Sequence, residues 1–198
     1  MAKAGRKTEA GYPGQVRIIG GSWRGRRLSV IDSPGFRPTP DRVKETVFNW
    51  LQPYIAGSRC LDLFAGSGAL CLEALSRGAK EVVMVEKTSA VARNLQQNID
   101  TLQAHHARLV AGDALEFLGG QSESFDIVFV DPPFRDAVLI DQCISRLQDG
   151  GWLAEEALVY VEAPAEYGDI TLPDGWTLLR SKKAGQVGYH LLKAPAES

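Results

Sequence analysis

Cysteine is scarce in this sequence, and the three residues present, Cys60, Cys71 and Cys143, lie far apart without a CxxC pair. An odd number of scattered cysteines argues against a disulfide framework, so we expect three buried, apolar thiols. Histidine is equally scarce, with two adjacent residues and one remote. Because a metal site would need ligands gathered from scattered parts of the chain, the sequence predicts no bound metal.

Long hydrophobic runs are also missing. No apolar stretch approaches the roughly 20 residues that a membrane-spanning helix needs. The N-terminal stretch MAKAGRKTEAGYPG lacks the apolar core of a signal peptide. We therefore expect a cytoplasmic protein with no membrane partner. We also expect a monomer. With 198 residues, 44% hydrophobic and 23% charged, the chain can bury one good core.

Charge is unevenly distributed, although the net value is only −2. Residues 1–50 contain ten Lys and Arg against four Asp and Glu, a balance of +6, whereas the remaining 148 residues have a balance of −8. Clustered basic residues are typical of nucleic-acid contacts, and a solvated tail is the alternative, favoured for residues 1–14. The expected organisation is a basic extension over residues 1–36, followed by a main domain over residues 37–198.

The stretch QVRIIGGSWRGRRLSVI predicts a β-hairpin, because two β-prone segments flank the turn-forming GGSWRG. Its tryptophan can stack on a base or simply pack against the body. The candidate RNA contacts of this hairpin are Arg17, Trp23, Arg24, Arg26 and Arg27.

The rest of the chain predicts an α/β fold. DRVKETVFNWLQPYI has helical spacing of apolar residues behind a possible cap at Thr39 or Asp41. From Arg59 onward, short apolar runs alternate with amphipathic segments, which predicts βαβ crossovers and a doubly wound, mostly parallel sheet. GWTLLRSKKAGQVGYHLLKA indicates an antiparallel pair that closes the sheet.

Four consecutive predicted strands finish in an acid: Asp62, Glu86, Asp113 and Asp131. The first runs into DLFAGSGAL, where glycines let the backbone approach a ligand and a helix presents free N–H groups. Glu86 follows Gly66 by 20 residues, the spacing at which an acid accepts hydrogen bonds from ribose hydroxyls. Since ligands bind beyond the carboxyl ends of parallel strands, this edge predicts a site for a ligand with many donors.

A dinucleotide is one candidate ligand, but the third glycine of its fingerprint is replaced by Cys71. Asp62, four residues before Gly66, would repel a phosphate and suits a cation. S-adenosylmethionine carries a sulfonium, an ammonium and a ribose diol without phosphate, so it fits this edge better than NAD.

The segments DLFAGSGAL, VEK, GDA and DPPF, in this order, resemble a class I S-adenosylmethionine-dependent methyltransferase that methylates amino groups. With RIIGGSWRGRRL and RPTPDRVKETVFNWL, the sequence is similar to the RsmD family of 16S ribosomal RNA guanine-N2 methyltransferases, from about Val16 to about Leu192. The resemblance implies a seven-stranded Rossmann-like sheet and methylation of guanine 966 on the small subunit or a late assembly intermediate. The cofactor-binding residues that we assign are Thr39, Arg42, Asp62, Phe64, Ala65, Gly66, Gly68, Glu86, Lys87, Asp113, Ala114 and Asp131.

The DPPF stretch would then hold the catalytic residues, Asp131, Pro132, Pro133 and Phe134. An exocyclic base amine is a poor nucleophile because its lone pair is delocalised. If Asp131 and the Pro132 carbonyl accept its N–H bonds, the nitrogen can aim its lone pair at a methyl carbon, and the prolines hold both acceptors still. Phe134 would stack on the base.

Several alternatives remain open. A DNA adenine-N6 or cytosine-N4 methyltransferase would share DPPF, although many of these end in Asn and Tyr rather than Asp and Phe. A non-catalytic RNA-binding module with a vestigial cofactor site, a NAD-dependent oxidoreductase, and a proline-stopped strand with a core phenylalanine are further possibilities.

Overall fold

A seven-stranded sheet forms the centre of the computed structural model, which describes residues 14–31, 39–133, 136–165 and 172–195. Its strand order is β5-β4-β3-β6-β7-β9-β8, with β3 to β7 parallel and β9 antiparallel to both of its neighbours. The strands are β3 Arg59–Asp62, β4 Glu81–Glu86, β5 Ala107–Ala111, β6 Phe125–Val130, β7 Leu153–Pro164, β8 Thr177–Ala184 and β9 Val187–Lys193. The predicted doubly wound, mostly parallel sheet with a terminal antiparallel pair is confirmed.

Helices cover both faces of this sheet. They are α1 Asp41–Ile55, α2 Ala69–Ser76, α3 Ser89–Leu102, α4 Ala114–Leu118 and α5 Ala137–Asp149. Two hydrophobic clusters result, one on each face: the first includes Phe48, Phe129 and Tyr160, and the second includes Val128 and Trp152. This two-sided burial explains why the parallel strands are continuous apolar runs rather than alternating ones.

The start of α1 differs from the expectation of a side-chain cap at Thr39 or Asp41. Pro40 occupies the N-cap position, and no side chain caps the helix. The buried Thr39 hydroxyl instead donates to Glu162 Oε1 on β7, at 3.3 Å. The cap expectation was therefore wrong, because a partner distant in sequence takes the hydroxyl.

The predicted N-terminal hairpin is confirmed as β1 Gln15–Arg17 and β2 Arg27–Ser29, which pair antiparallel. It is docked on α2: the carboxylate of Glu73 accepts from the N–H groups of Ile19 and Gly20, each at 2.8 Å. A side chain at Gly21 would place its Cβ 1.7 Å from the Ser76 carbonyl oxygen, so the turn needs glycine there.

Packing ties this hairpin to the rest of the molecule. Ile18 and Leu28 are each 1% exposed and belong to the same hydrophobic cluster as α1 and α2. Lys44 of α1 is fully buried and donates to the Arg17 carbonyl oxygen, while burial lowers the pKa of its ammonium. The division into residues 1–36 and 37–198 stays a prediction, and its two parts share one core.

Three further expectations concern cysteines, membranes and metals. All three cysteines are buried free thiols, as predicted. Within the described ranges, no helix is both long and apolar enough to cross a membrane. The same ranges contain no group of three or more His, Cys, Asp and Glu side chains that could hold a metal ion.

Candidate active site

The carboxyl ends of the parallel strands lie at one edge of the sheet, and the order in which successive strands are added reverses between β3 and β6. From β3 the chain proceeds outward through β4 and β5, and then returns to β6 on the other side of β3. This reversal is the topological switch point at which open α/β sheets bind ligands. We call the ends of β3, β4 and β5, with Asp62, Glu86 and Asp113, the glycine side, and the ends of β6 and β7, with Asp131 and Glu162, the proline side.

The carboxylate of Glu86 accepts hydrogen bonds from the turn after β3 and from the residues after β4. Gly66 N–H donates to Glu86 Oε2 at 3.0 Å, and Thr88 N–H donates to Oε1 at 2.7 Å. Gly66 and Gly68 have φ of 53° and 79°, in the left-handed region that favours glycine. A Cβ at Gly68 would lie 2.6 Å from Leu95 Cδ1. The 20-residue spacing of Gly66 and Glu86 thus reflects a direct hydrogen bond.

The same turn contains hydrogen-bonding groups that a ligand could use, the Ser67 hydroxyl and the first N–H groups of α2. Ser67 is 3% exposed, and its hydroxyl has no hydrogen-bond partner among the residues that the structure describes. Helix α2 begins after Gly68 without a side-chain cap. Since the first N–H groups of a helix have no partner within it, the turn offers several donors to a ligand.

Asp62 is the most deeply buried acid of the glycine side, at 2% exposure. Its Oδ1 accepts from the Phe64 N–H at 3.1 Å. Burial raises the pKa of its carboxyl to about 7, and the charges of Glu86 and Glu162 add to the rise. A cation bound nearby would relieve this cost, because it stabilises the ionised carboxylate.

Asp113 has local partners that account for its position. It caps α4 by accepting from the Leu115 N–H at 2.8 Å and the Glu116 N–H at 3.3 Å. Lys87 pairs with its Oδ2 at 3.0 Å, and this hydrogen bond is the first cause of the lowered pKa of Asp113. The acid at the end of β5 is thus explained in part by helix capping, without a ligand.

On the proline side, Asp131 and Pro132 directly follow the buried strand β6. Asp131 is half-buried, Pro132 is buried and Pro133 is exposed. Phe134, to which we assigned base stacking, lies outside the described residues. The proline-stopped end of the strand is confirmed, and it lies two residues beyond Phe129, which pairs with Asp62.

Glu162 is a fifth acid of this edge that the sequence analysis missed. Val130 pairs with Val161, so Glu162 lies beside Asp131, just past the end of β6 and two residues before β7 ends. The Tyr160 hydroxyl donates to its Oε1 at 2.8 Å, and the Thr39 hydroxyl donates to the same oxygen. Burial raises the pKa of Tyr160, and the charges of Glu162 and Asp131 contribute. The missed signal was VYVEAP, another apolar run that ends in an acid.

The other assigned residues are dispersed around this edge. Ala65 donates its N–H to the Val85 carbonyl oxygen at 2.9 Å, which joins the turn to β4. Ala114 is buried in the first turn of α4, whereas Phe64 is half-buried and Arg42 is exposed.

The hairpin residues assigned to RNA have contacts within the protein. Arg17 pairs with Asp41 at 2.9 Å, Arg26 donates to the Thr101 carbonyl oxygen at 3.1 Å and Arg27 donates to Gln15 Oε1 at 3.3 Å. Trp23 is half-buried against the hydrophobic cluster, which is the packing alternative for this residue. The Arg24 side chain makes no hydrogen bond or ion pair with the described part of the chain.

Solved structures define the class of this fold. The structure of yhhF from Escherichia coli matches with a TM-score of 0.87 and 52% identity, covering 93% of this chain and 100% of that chain. An RNA methyltransferase from Salinibacter ruber, solved in complex with S-adenosyl-L-homocysteine, matches with a TM-score of 0.63 over 82% of this chain and 96% of that chain. At 16% identity the second likeness shows the fold alone. The fold is that of a class I methyltransferase.

Sequence comparison narrows this class to one family. The family described as conserved hypothetical protein 95 matches residues 16–193. Ribosomal RNA small subunit methyltransferase D of Escherichia coli K12 is 54% identical over 184 residues, 93% of this chain and 92% of that protein. The Haemophilus influenzae protein of the same name is 50% identical over 90% of this chain and 93% of its own length. The chain belongs to this family, the RsmD family.

Proposed function

We propose that this chain transfers a methyl group from S-adenosylmethionine to the exocyclic N2 of a guanine in 16S ribosomal RNA. The substrate is the small ribosomal subunit or a late assembly intermediate, with guanine 966 as the target that the RsmD resemblance implies. The names of the relatives support a ribosomal RNA substrate. The carrying observation is the switch-point edge, where the glycine side and the Asp131–Pro132 end of β6 lie next to each other.

The glycine side fits the proposed cofactor. Each oxygen of Glu86 accepts one backbone N–H and keeps acceptor capacity for ribose hydroxyls. The buried carboxyl of Asp62 favours a cationic ligand over a phosphate. The unpartnered hydroxyl of Ser67 and the uncapped start of α2 supply donors. Asp113 and Ala114 would lie at the adenine end, and Lys87 would stay paired with Asp113.

When bound, S-adenosylmethionine supplies a methyl group that its sulfonium makes electrophilic. Asp131 and the Pro132 carbonyl accept the two N–H bonds of the guanine amine, so that its lone pair can leave conjugation with the ring. The amine must lose one proton as it gains the methyl group, and the Asp131 carboxylate can receive it. Such positioning, with acceptors preset for positive charge on nitrogen, is worth several kcal/mol of barrier. Phe134 would stack on the base once it is swung out.

A tritiated-methyl assay tests this proposal. Small subunits from a strain that lacks this protein are incubated with the enzyme and labelled cofactor, and the RNA is digested to nucleosides. We expect the label in N2-methylguanosine. A parallel reaction offers DNA instead of small subunits. Label there in N6-methyladenine or N4-methylcytosine would favour the DNA alternative, and RNA binding without any transfer would favour a non-catalytic module.

A further inference from the structure

The C-terminal hairpin β8–β9 has a charge opposite to that of its surroundings. Between Thr177 and Lys193 it contains four Lys and Arg residues and no acid, although residues 51–198 together have a balance of −8. The basic residues are Arg180, Lys182, Lys183 and Lys193. This hairpin is therefore a basic segment on an acidic body.

These basic side chains are not equally engaged. Lys193 pairs with Glu156 at 2.6 Å. Arg180 donates to the Leu179 carbonyl oxygen at 2.8 Å and makes no ion pair with the described part of the chain. Lys182 and Lys183 are exposed and make no ion pair with the residues that the structure describes. The end of the hairpin near its turn thus presents three cations that no described acid neutralises.

Strand register brings this end to the level of the candidate active site. Glu162 of β7 pairs with Tyr189 of β9, and Tyr189 pairs with Lys182 of β8. Since Glu162 lies beside Asp131, Lys182 lies at the level of Asp131, three strand spacings or about 14 Å away. Lys193 lies at the opposite end of β9, opposite Thr177.

Lys182 and Lys183 are both exposed, and they point to opposite faces of the sheet. Paired residues point to the same face, so Lys182 shares a face with Tyr189, and Lys183 lies on the other face. Strand β8 is the last in the sheet order, so its outer edge has no strand partner in the described chain. Lysines on an edge strand also deter edge-to-edge pairing, but that role does not require them near the carboxyl ends of the parallel strands.

We propose that Lys182, Lys183 and Arg180 bind phosphates of the RNA strand that flanks the target nucleotide. This inference rests on the proposed function and adds a phosphate-binding surface beside the proline side. Unpaired cations at an edge about 14 Å from Asp131 complement a polyanion whose base enters the site. The hairpin would contribute to RNA affinity and nothing to cofactor affinity.

Two double variants test it with equal loss of charge. Lys182→Ala with Lys183→Ala removes the proposed phosphate contacts. The control, Lys80→Ala with Lys193→Ala, removes one exposed lysine and one lysine paired with Glu156, both distant from the active edge. RNA affinity is measured as a function of salt, together with the affinity for S-adenosylhomocysteine. For the first variant we expect a salt slope flatter by about 1.4 to 1.8, and binding about 10- to 30-fold weaker at 0.15 M salt. Cofactor affinity should be unchanged in both.

The outcomes separate this inference from the proposed function. A wild-type protein that neither binds nor methylates ribosomal RNA would overturn both together. A wild-type protein that does both, with equal salt slopes for the two double variants, would overturn the phosphate surface alone. Weaker binding of S-adenosylhomocysteine by the Lys182 and Lys183 variant would also overturn it, because the effect would then not be confined to RNA.

Discussion

The acids of the glycine side and Glu162 of the proline side are held by different kinds of partner. On the glycine side, Asp62, Glu86 and Asp113 each accept a backbone N–H from a residue two positions further along the chain. On the proline side, Glu162 is held by side chains, and one of them, Thr39, lies 123 positions away. The comparison teaches that the first set is organised by local turns, whereas the position of Glu162 also depends on a contact from the segment that leads into α1.

The largest expected effect tests whether the two sides have separate tasks. Replacing Asp131 by alanine should lower the turnover of methyl transfer by at least about 100-fold, since it removes a preorganised acceptor. Binding of S-adenosylhomocysteine, measured by calorimetry, should stay close to the wild-type value. Asp131→Asn is the matched control, because it keeps an acceptor oxygen and should lose less turnover. Near-wild-type turnover in the alanine variant would contradict the mechanism.

The second prediction concerns the glycine side, where a substitution should weaken cofactor binding. Glu86→Ala should weaken S-adenosylmethionine binding by about 1 to 3 kcal/mol, because a charged acceptor of hydroxyl hydrogen bonds is lost. Glu81→Ala, at the other end of the same strand, serves as the control for charge. Equal dissociation constants for the Glu86 variant and the wild type would show that the cofactor binds elsewhere.

The third prediction uses the raised pKa of Asp62, about 7, as a signature of the glycine side. A cationic ligand stabilises the ionised carboxylate, so affinity for S-adenosylhomocysteine, which keeps the ammonium, should rise with pH up to about 7 by at most about tenfold per unit. Asp62→Asn should flatten this rise. An equally steep pH dependence in the Asn variant would assign the titration to another group.

The raised pKa of Asp62 also predicts how the free energy of unfolding changes with pH when no cofactor is bound. Because the folded state keeps the Asp62 proton between the ordinary value of 3.8 and about 7, the Asp62 contribution to the free energy of unfolding falls as pH rises through this window. Comparing denaturant unfolding of the wild type and Asp62→Asn at both ends of the window checks this direction.

Thr39 tests whether the proline side depends on contacts distant in sequence. We assigned this residue to the cofactor, whereas in the structure its hydroxyl donates to Glu162. We expect Thr39→Val to lower the free energy of unfolding by about 0.5 to 1.5 kcal/mol, the usual net worth of one hydrogen bond. Turnover should fall severalfold with cofactor affinity unchanged, and Thr39→Ser should restore it. A loss of cofactor affinity as large as that of Glu86→Ala would return Thr39 to the cofactor site.

The smallest expected effect concerns neither side but the N-terminal hairpin. Arg24→Ala should flatten the salt dependence of RNA binding by about one unit if Arg24 contacts a phosphate. Arg26, whose guanidinium donates to the Thr101 carbonyl oxygen, gives a contrast in which stability also changes. An unchanged slope in the Arg24 variant would exclude Arg24 as a phosphate contact, and an unchanged slope in the Arg24 and Arg26 double variant would leave this hairpin a purely structural element.

Much of the glycine side could be predicted because its signals are local. The DLFAGSGAL turn and the acid before α4 each lie within one strand-turn-helix unit, and the 20-residue step to Glu86 spans a single strand-helix-strand unit. Glu162 was missed for a related reason: its apolar run ends in EAP, without a turn or helix that marks the acid as part of a site. Its partners only become visible once α1 lies against β7.

The sequence by itself determined the order of strands and helices, the acids at the strand ends and the glycines of the turn, because periodicity and turn chemistry act over a few residues. Only the tertiary structure decided that Thr39 binds Glu162, that Glu73 clamps the N-terminal hairpin, and that Lys182 lies at the level of Asp131. Those contacts depend on strand register and helix docking between segments distant in sequence. Burial of a shared core selects that arrangement, and no local pattern encodes it.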